Sequence, residues 1–388
     1  MSAQQTDRMP SLPQLFLSFL RLGATAFGGP AMVAYIRKMA VAQKKWLDEA
    51  SFRDGVAFCQ MVPGATAMQT TAYVGLRLRG VTGAVVSFVG FGLPAFSIML
   101  VLSILYMRIQ SLPAVVSGFN GLQTIVVAIV ANAAISFGRA SIKDWKGIVI
   151  AVAAAGLFGF GVSPILVILL ATLLGFLLYI KQQYSAVDSH RQLRSTARPV
   201  LMIILAAIIA LVLLFLLNRD LFDLAALMFR IDLFAFGGGF ASVPLMFHEV
   251  VEVRSWMQTT TFLNGIALGQ FTPGPIVITA TFVGYLLYGL LGAIIATISV
   301  FLPSFLIVVG VAPYYDKFST SPYFRKAING ILCSFVGLLL SVVVLFALKI
   351  PWELPRVLLA IAAFVALRFN VAIYWVVLAG IIISIIVL

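Results

Sequence analysis

The chain has 388 residues, 62% apolar and only 10% charged, with a net charge of +13 and a mean hydropathy of +1.09. That leaves too little polar surface to coat a water-soluble globule of this size, so a lipid bilayer is the expected solvent. The basic balance does not point to nucleic acid, because the Lys and Arg residues lie in short segments between apolar runs, as the positive-inside rule requires of membrane loops.

Met1 to Ser11 is short and polar and lacks the charged, apolar and small-residue pattern of a cleaved leader. The apolar run that begins at Leu12 carries Arg21, which at the membrane centre costs at least about 2.5 to 3.5 kcal/mol. It ends at Phe27-Gly28-Gly29-Pro30. Glycines let the backbone turn and approach a ligand, and Pro30 suits the first turn of a new helix, so a helix break is expected here. Close packing through small residues is the competing reading. Trp46 reads as an interface anchor, and Asp48, Glu49 and Asp54 as solvated partners of the adjacent lysines and Arg53.

Gln60-Met61-Val62-Pro63-Gly64 reads as a hairpin tip between two helical segments. A helix restarting after it aims free N–H groups and its positive dipole end into the protein, a ready site for an oxyanion. A simple proline kink stays open as the alternative. Four ordinary spans are expected after the tip, with Asn120 capping one of them and Gly147 to Ile180 strongly apolar. Lys181 to Pro199 is a basic connector, and Val200 to Leu217 is one further apolar helix.

The same features then return in order. Arg230 lies in an apolar run with Asp223 and Asp232 nearby, Phe236-Gly237-Gly238-Gly239 repeats the first break, and Gln270-Phe271-Thr272-Pro273-Gly274-Pro275 repeats the tip. A shift of 209 residues places Arg21 on Arg230, Gly80 on Gly289, Pro94 on Pro303 and Asn120-Gly121 on Asn329-Gly330. Between Trp46 and Thr71 the shift is 210, placing Trp46 on Trp256, Gln60 on Gln270 and Pro63-Gly64 on Pro273-Gly274. Matched Trp, Gln, Asn and Pro residues in one order mean duplication rather than shared apolar composition.

The expected fold is an all-α polytopic membrane protein of two inverted-topology repeats with broken or re-entrant helices. The first repeat takes residues 1–180, the connector and linking transmembrane helix 181–218, and the second repeat 219–388. An even number of crossings per repeat plus one linking helix inverts the second copy. The loop charges of the first copy agree, placing Arg37, Lys38, Lys44, Lys45, Arg139 and Lys143 on one side. A cytoplasmic N-terminus and an external C-terminus in the plasma membrane are expected.

Cys59, Cys333, His190 and His248 form no metal-ligand spacing, and there is no Walker-type nucleotide loop, so no metal or cofactor is expected. The candidate substrate-binding residues are Arg21, Gly28, Gly29, Pro30, Gln60, Pro63, Gly64, Arg230, Gly237, Gly238, Gly239, Gln270, Thr272, Pro273 and Gly274, with Thr66 a further donor. Arg21 and Arg230 are read as cations facing a dianion, with snorkelling to the interface as the alternative.

Phe27-Gly28-Gly29-Pro30, Lys45-Trp46-Leu47-Asp48-Glu49, Gln60 to Gly64, Phe236 to Gly239 with Val243-Pro244, and above all Ala267 to Pro275 resemble the chromate ion transporter family, in its long two-copy form. The resemblance covers nearly the whole chain. It implies secondary export of chromate, with sulfate as a competing or exchanged ion and a small inorganic oxyanion as the ligand; a homodimer stays open as the assembly. The sequence departs from the family pattern at Ala65, where a second proline is expected, and at Asn264, where an acid is expected. Import of sulfate or another oxyanion is the alternative. A membrane-embedded enzyme lacks support, since no clustered His, Cys or paired carboxylates supply its chemistry.

Overall fold

A computed structural model describes residues 9–27, 31–179, 197–315 and 321–387. Among these the secondary structure is helical, and the one β-type pairing is an isolated bridge between Pro63 and Phe236. The elements are α1 (Leu12–Thr25), α2 (Ala31–Arg37), α3 (Glu49–Met61), α4 (Thr66–Ile109), α5 (Pro113–Ser141), α6 (Trp145–Gly159), α7 (Pro164–Leu178), α8 (Ala197–Leu217) and α9 (Arg219–Phe234). After them come α10 (Ser242–Phe247), α11 (Thr259–Phe271), α12 (Thr279–Val311), α13 (Pro322–Leu348), α14 (Leu354–Arg368) and α15 (Ile373–Val387). The chain is a polytopic helical membrane protein with two repeats of one order of elements.

Several helices start where side chains satisfy the unpaired first-turn amides. Ser11 and Gln14 form a capping box for α1, and Asp48, Asp144 and Asn218 cap α3, α6 and α9. Asp48 thus serves as the α3 cap, and Glu49 pairs with the exposed Arg37 at 2.7 Å. That hydrogen bond holds the Glu49 carboxyl below its ordinary range. α2 and α10 run on into π-helical turns, Lys38–Gln43 and His248–Val253, which end in left-handed residues at Lys45 and Ser255.

Helix length decides how the chain uses the bilayer. At 1.5 Å per residue a straight 44-residue α4 would be about 66 Å long, twice a hydrocarbon core of about 30 Å. It folds back instead. Arg79 and Gly80 leave helical geometry, with Gly80 at φ +62, and Gly75 lies so close to Gly83 that an added Cβ would meet the Gly83 carbonyl oxygen at 2.2 Å. α12 turns the same way at Tyr288 and Gly289, bringing the hydroxyls of Thr281 and Thr297 to 2.7 Å although they are 16 residues apart. The apolar run from Leu286 to Val311 thus contains this turn, and the long helix begins after it.

The Pro-Gly tip therefore joins α3, of 13 residues, to a helical stretch over 66–78. Each arm is about 20 Å long and cannot cross the core. α11, also of 13 residues, precedes the second tip in the chain as α3 precedes the first. The hairpin of α3 and residues 66–78 is re-entrant, with its tip stopping inside its own unit.

The contacts divide the chain into two compact units. One contains α1 to α3, α4 as far as Leu100, α8, α9, the second glycine-rich break, the second tip and α12. In it α9 packs on α12, and α1 lies against the second arm of α4, where Gly23 faces the Phe91 backbone and Gly90 the Phe16 carbonyl. α8 rests on α9 and α12 with none of its residues buried, which leaves a linking helix coated by lipid.

The other unit contains the end of α4, α5 to α7, α10, α11 and α13 to α15. Here the α6–α7 pair packs on α13, and the α14–α15 pair packs on α5, so short helices from each half of the sequence clasp the long helix from the other. Small residues permit it, as membrane packing demands. An added Cβ on Gly337 would meet the Ala151 carbonyl oxygen at 2.1 Å, and one on Gly330 the Ala171 oxygen at 2.3 Å. Gly330→Val should therefore lower stability by about 1–3 kcal/mol through overpacking, read as a lower Tm in detergent.

Candidate functional site

The two tips interlock with the two helix breaks inside one compact unit. A helix that ends leaves its last carbonyls unpaired, and here each break finds its donor in the tip of the other repeat. Gly64 N–H donates to the Ala235 carbonyl at 2.8 Å, beside the Pro63–Phe236 bridge, and Gly274 N–H donates to the Ala26 carbonyl at 3.1 Å. Ala26 and Ala235 correspond under the repeat, as do Gly64 and Gly274. Both tip glycines have left-handed φ, +118 and +110, which L side chains avoid.

The helices that restart after the tips have open first turns. The amides of Thr66, Ala67 and Met68 at the start of α4 find no acceptor among the described residues, nor do those of Ile276 and Val277. These amides and the helix dipole form a positive end. Gln69 turns back into the first tip, donating its amide to the Pro63 carbonyl, while its Oε1 is buried with no partner among the described residues.

One tip is held by a polar clamp that its mate lacks. The Ser304 hydroxyl accepts from Ala65 N–H at 3.0 Å and donates to Asp232 Oδ2 at 2.7 Å, and Ser304 N–H donates to the same oxygen at 2.9 Å. Asp232 is 0% exposed, and its Oδ1 is buried without a partner among the described residues. At the corresponding positions of the first repeat stand Gly23 and Ala95. There contact is purely steric: an added Cβ on Gly274 would meet Ala95 Cβ at 2.9 Å, where one on Gly64 would meet Ser304 Oγ at 2.0 Å.

The candidate residues fall in several settings. Pro63, Gly64, Gly237, Gly238, Gly239, Thr272, Pro273 and Gly274 belong to the unit in which tips and breaks meet. Gly238 approaches the Thr66 hydroxyl, and Gly239 approaches Ile276 and Val277. Arg21 is exposed on α1 and Arg230 half-buried on α9. Gln60 is exposed at the end of α3, and Gln270, at the end of α11, is half-buried with Nε2 enclosed and unpartnered among the described residues. Gly28, Gly29 and Pro30 lie outside the described residues, as do the connector Lys181 to Thr196 and His190.

Asp232 lies near Arg230 in the sequence, but its carboxylate goes to Ser304 and makes no ion pair among the described residues. The signal was an acid in one copy facing glycine in the other. Asn264, which departs from the family pattern, is buried in the second unit; it accepts from Gln123 at 2.9 Å and donates to the Tyr106 hydroxyl at 3.2 Å. An amide can donate and accept at once, which an ionised carboxylate cannot.

A family model described as chromate transporter matches residues 13–176 and again residues 222–385, so the two matches are displaced by the same 209 residues as the repeat. The chain is 44% identical to an uncharacterised transporter of Methanocaldococcus jannaschii over 361 residues, covering 92% of this chain and 90% of that protein. It is 29% identical to a chromate transport protein of Cupriavidus metallidurans over 357 residues, covering 90% and 86% of the two chains. A chromate transport protein of Pseudomonas aeruginosa is 29% identical over 376 residues, covering 93% and 88%. No solved structure matches the chain.

Proposed function

The chain belongs to the chromate transporter family, and from that premise we propose that it is a secondary carrier exporting chromate through the interlocked tips and breaks. The observation that carries this reading is the pair of equivalent bonds, Gly64 to Ala235 and Gly274 to Ala26, that ties two interrupted helices of opposite repeats together beside unpaired amide groups. N–H groups at helix starts suit a tetrahedral dianion without a fixed counter-charge. The candidate binding residues are those named from the sequence, with Gly64, Gly238, Thr66 and Gly274 at their centre. Broken helices that meet in this way are the common architecture of carrier sites, with one repeat rocking against the other to give alternating access.

Direction follows from charge. Moving a dianion outward through an inside-negative potential of 100 mV releases roughly 4.6 kcal/mol, so voltage alone can drive export. Sulfate has the same shape and charge as chromate, and a site of N–H donors separates the two poorly. The orientation proposed, with the N-terminus cytoplasmic and the C-terminus external in the plasma membrane, goes with inverted repeats over 1–180 and 219–388 joined by 181–218. Proteoliposomes test the whole reading: chromate flux should rise with a potential negative on the side of origin and fall when unlabelled sulfate is added. Sulfate movement without any chromate movement, or chromate accumulation against that potential, would replace export of chromate by uptake of another oxyanion.

A further inference from the structure

We propose that Asp232 is the group through which one proton is coupled to oxyanion binding at the tip between α3 and α4. The inference rests on the carrier reading above and adds the coupling site and its stoichiometry. Asp232 is fully buried, and one of its oxygens, Oδ2, accepts both the N–H and the hydroxyl of Ser304. The other oxygen, Oδ1, is enclosed and has no partner among the described residues, an arrangement that buried polar atoms rarely tolerate without a functional reason.

Among the described residues no charged side chain is bonded to Asp232. α12, on which α9 packs, has no charged side chain, only the phenols of Tyr285 and Tyr288; α8 has only Arg198 near its start. The tip over 62–65 has none, and the first arm of α4 has Arg77 toward its far end, bonded to Ser51. On α9 itself the charges are Arg219, Asp220, Asp223 and Arg230, and none of them is bonded to Asp232.

Ser304 transmits the state of the acid to the tip. Its hydroxyl gives its proton to Oδ2 and takes the Ala65 N–H, so an ionised Asp232 sits one hydroxyl away from the positive start of the restarting helix. That is where an anion would bind, and two negative groups at one helix end oppose each other. A proton placed on Oδ1 removes the charge, turns an unpaired acceptor into a donor, and leaves Oδ2 free to keep both Ser304 bonds. Proton and oxyanion therefore favour each other's binding, and by linkage each raises the other's affinity equally.

The other repeat has no counterpart. Gly23 stands at the position of Asp232, where an added Cβ would meet the Phe91 carbonyl oxygen at 2.3 Å, and Ala95 stands at the position of Ser304. Two tips thus share one protonation site. A dianion moving with one proton transfers one net negative charge, so the outward voltage drive is halved and not abolished.

The test uses the full chain in lipid nanodiscs, weakly buffered, at pH values where free chromate is the dianion. Chromate addition should take up one proton per ion bound, read by an indicator dye, and affinity should weaken about tenfold per pH unit on the alkaline side. Asp232→Asn should bind with an affinity that no longer changes with pH and take up no proton. In the wild-type infrared difference spectrum a protonated carboxyl stretch should appear on chromate addition, which tests the acid even if the variant fails to fold. Chromate binding by the wild type without proton uptake, or uptake that persists in Asp232→Asn, overturns the proposal. Failure of the wild type to bind or move chromate sinks the carrier reading itself.

Discussion

Gly64→Val should insert into the membrane normally and lose roughly 100-fold or more of its chromate flux, because it displaces the tip that the reading places at the substrate. Two independent costs fall on this position. Gly64 has φ +118, a conformation worth about 1–3 kcal/mol of strain for a side-chain-bearing residue. An added Cβ would also lie 2.0 Å from Ser304 Oγ and 2.7 Å from Gln69 Nε2, so the tip must move away from both. Movement breaks the Gly64–Ala235 bond and lifts the Ala65 amide off Ser304. Gly274→Val should act likewise through Ala95 and the bond to Ala26. Gly156 has nothing within 4 Å of an added Cβ, so Gly156→Ala is the matched control. Flux measured on equal amounts of inserted protein decides it: wild-type transport by Gly64→Val removes the tip from the mechanism.

Ser304→Ala should cost about 2–4 kcal/mol of stability, since it leaves the buried Ala65 N–H without an acceptor and Asp232 with one donor in place of two. The reverse exchange in the other repeat, Ala95→Ser, should cost far less, because no buried acid or amide there waits for a hydroxyl. The pair of variants compares a polar clamp with a steric one at equivalent positions. A lower Tm and slower voltage-driven flux for Ser304→Ala, with both near wild type for Ala95→Ser, is the expected pattern. Equal effects from the two exchanges would mean that the repeats hold their tips in the same way.

Much of this architecture was legible in the residue order. Trp46 with Trp256, Pro63-Gly64 with Pro273-Gly274 and Arg21 with Arg230 disclose the duplication, and the glycine and proline clusters mark where helices stop. Those features are local: a glycine with left-handed φ or a proline at a helix start acts on its own stretch of backbone. The fold-backs at Gly80 and Gly289 leave no such mark. Each sits inside an apolar run, and hydropathy does not distinguish a long rod from two antiparallel arms.

The sequence by itself determined that the chain lives in lipid, that it is helical, that it was built twice, and where its Pro-Gly tips fall, because composition and spacing act within a turn or two of the chain. Only the tertiary structure decided that the tip of each repeat closes the break of the other, and that Asp232 meets Ser304 across 72 residues and Ala65 beyond it. The physical reason is that buried carbonyls and carboxylates take whichever donor the packing brings into hydrogen-bonding reach, and partners so distant along the chain leave no periodic trace in it.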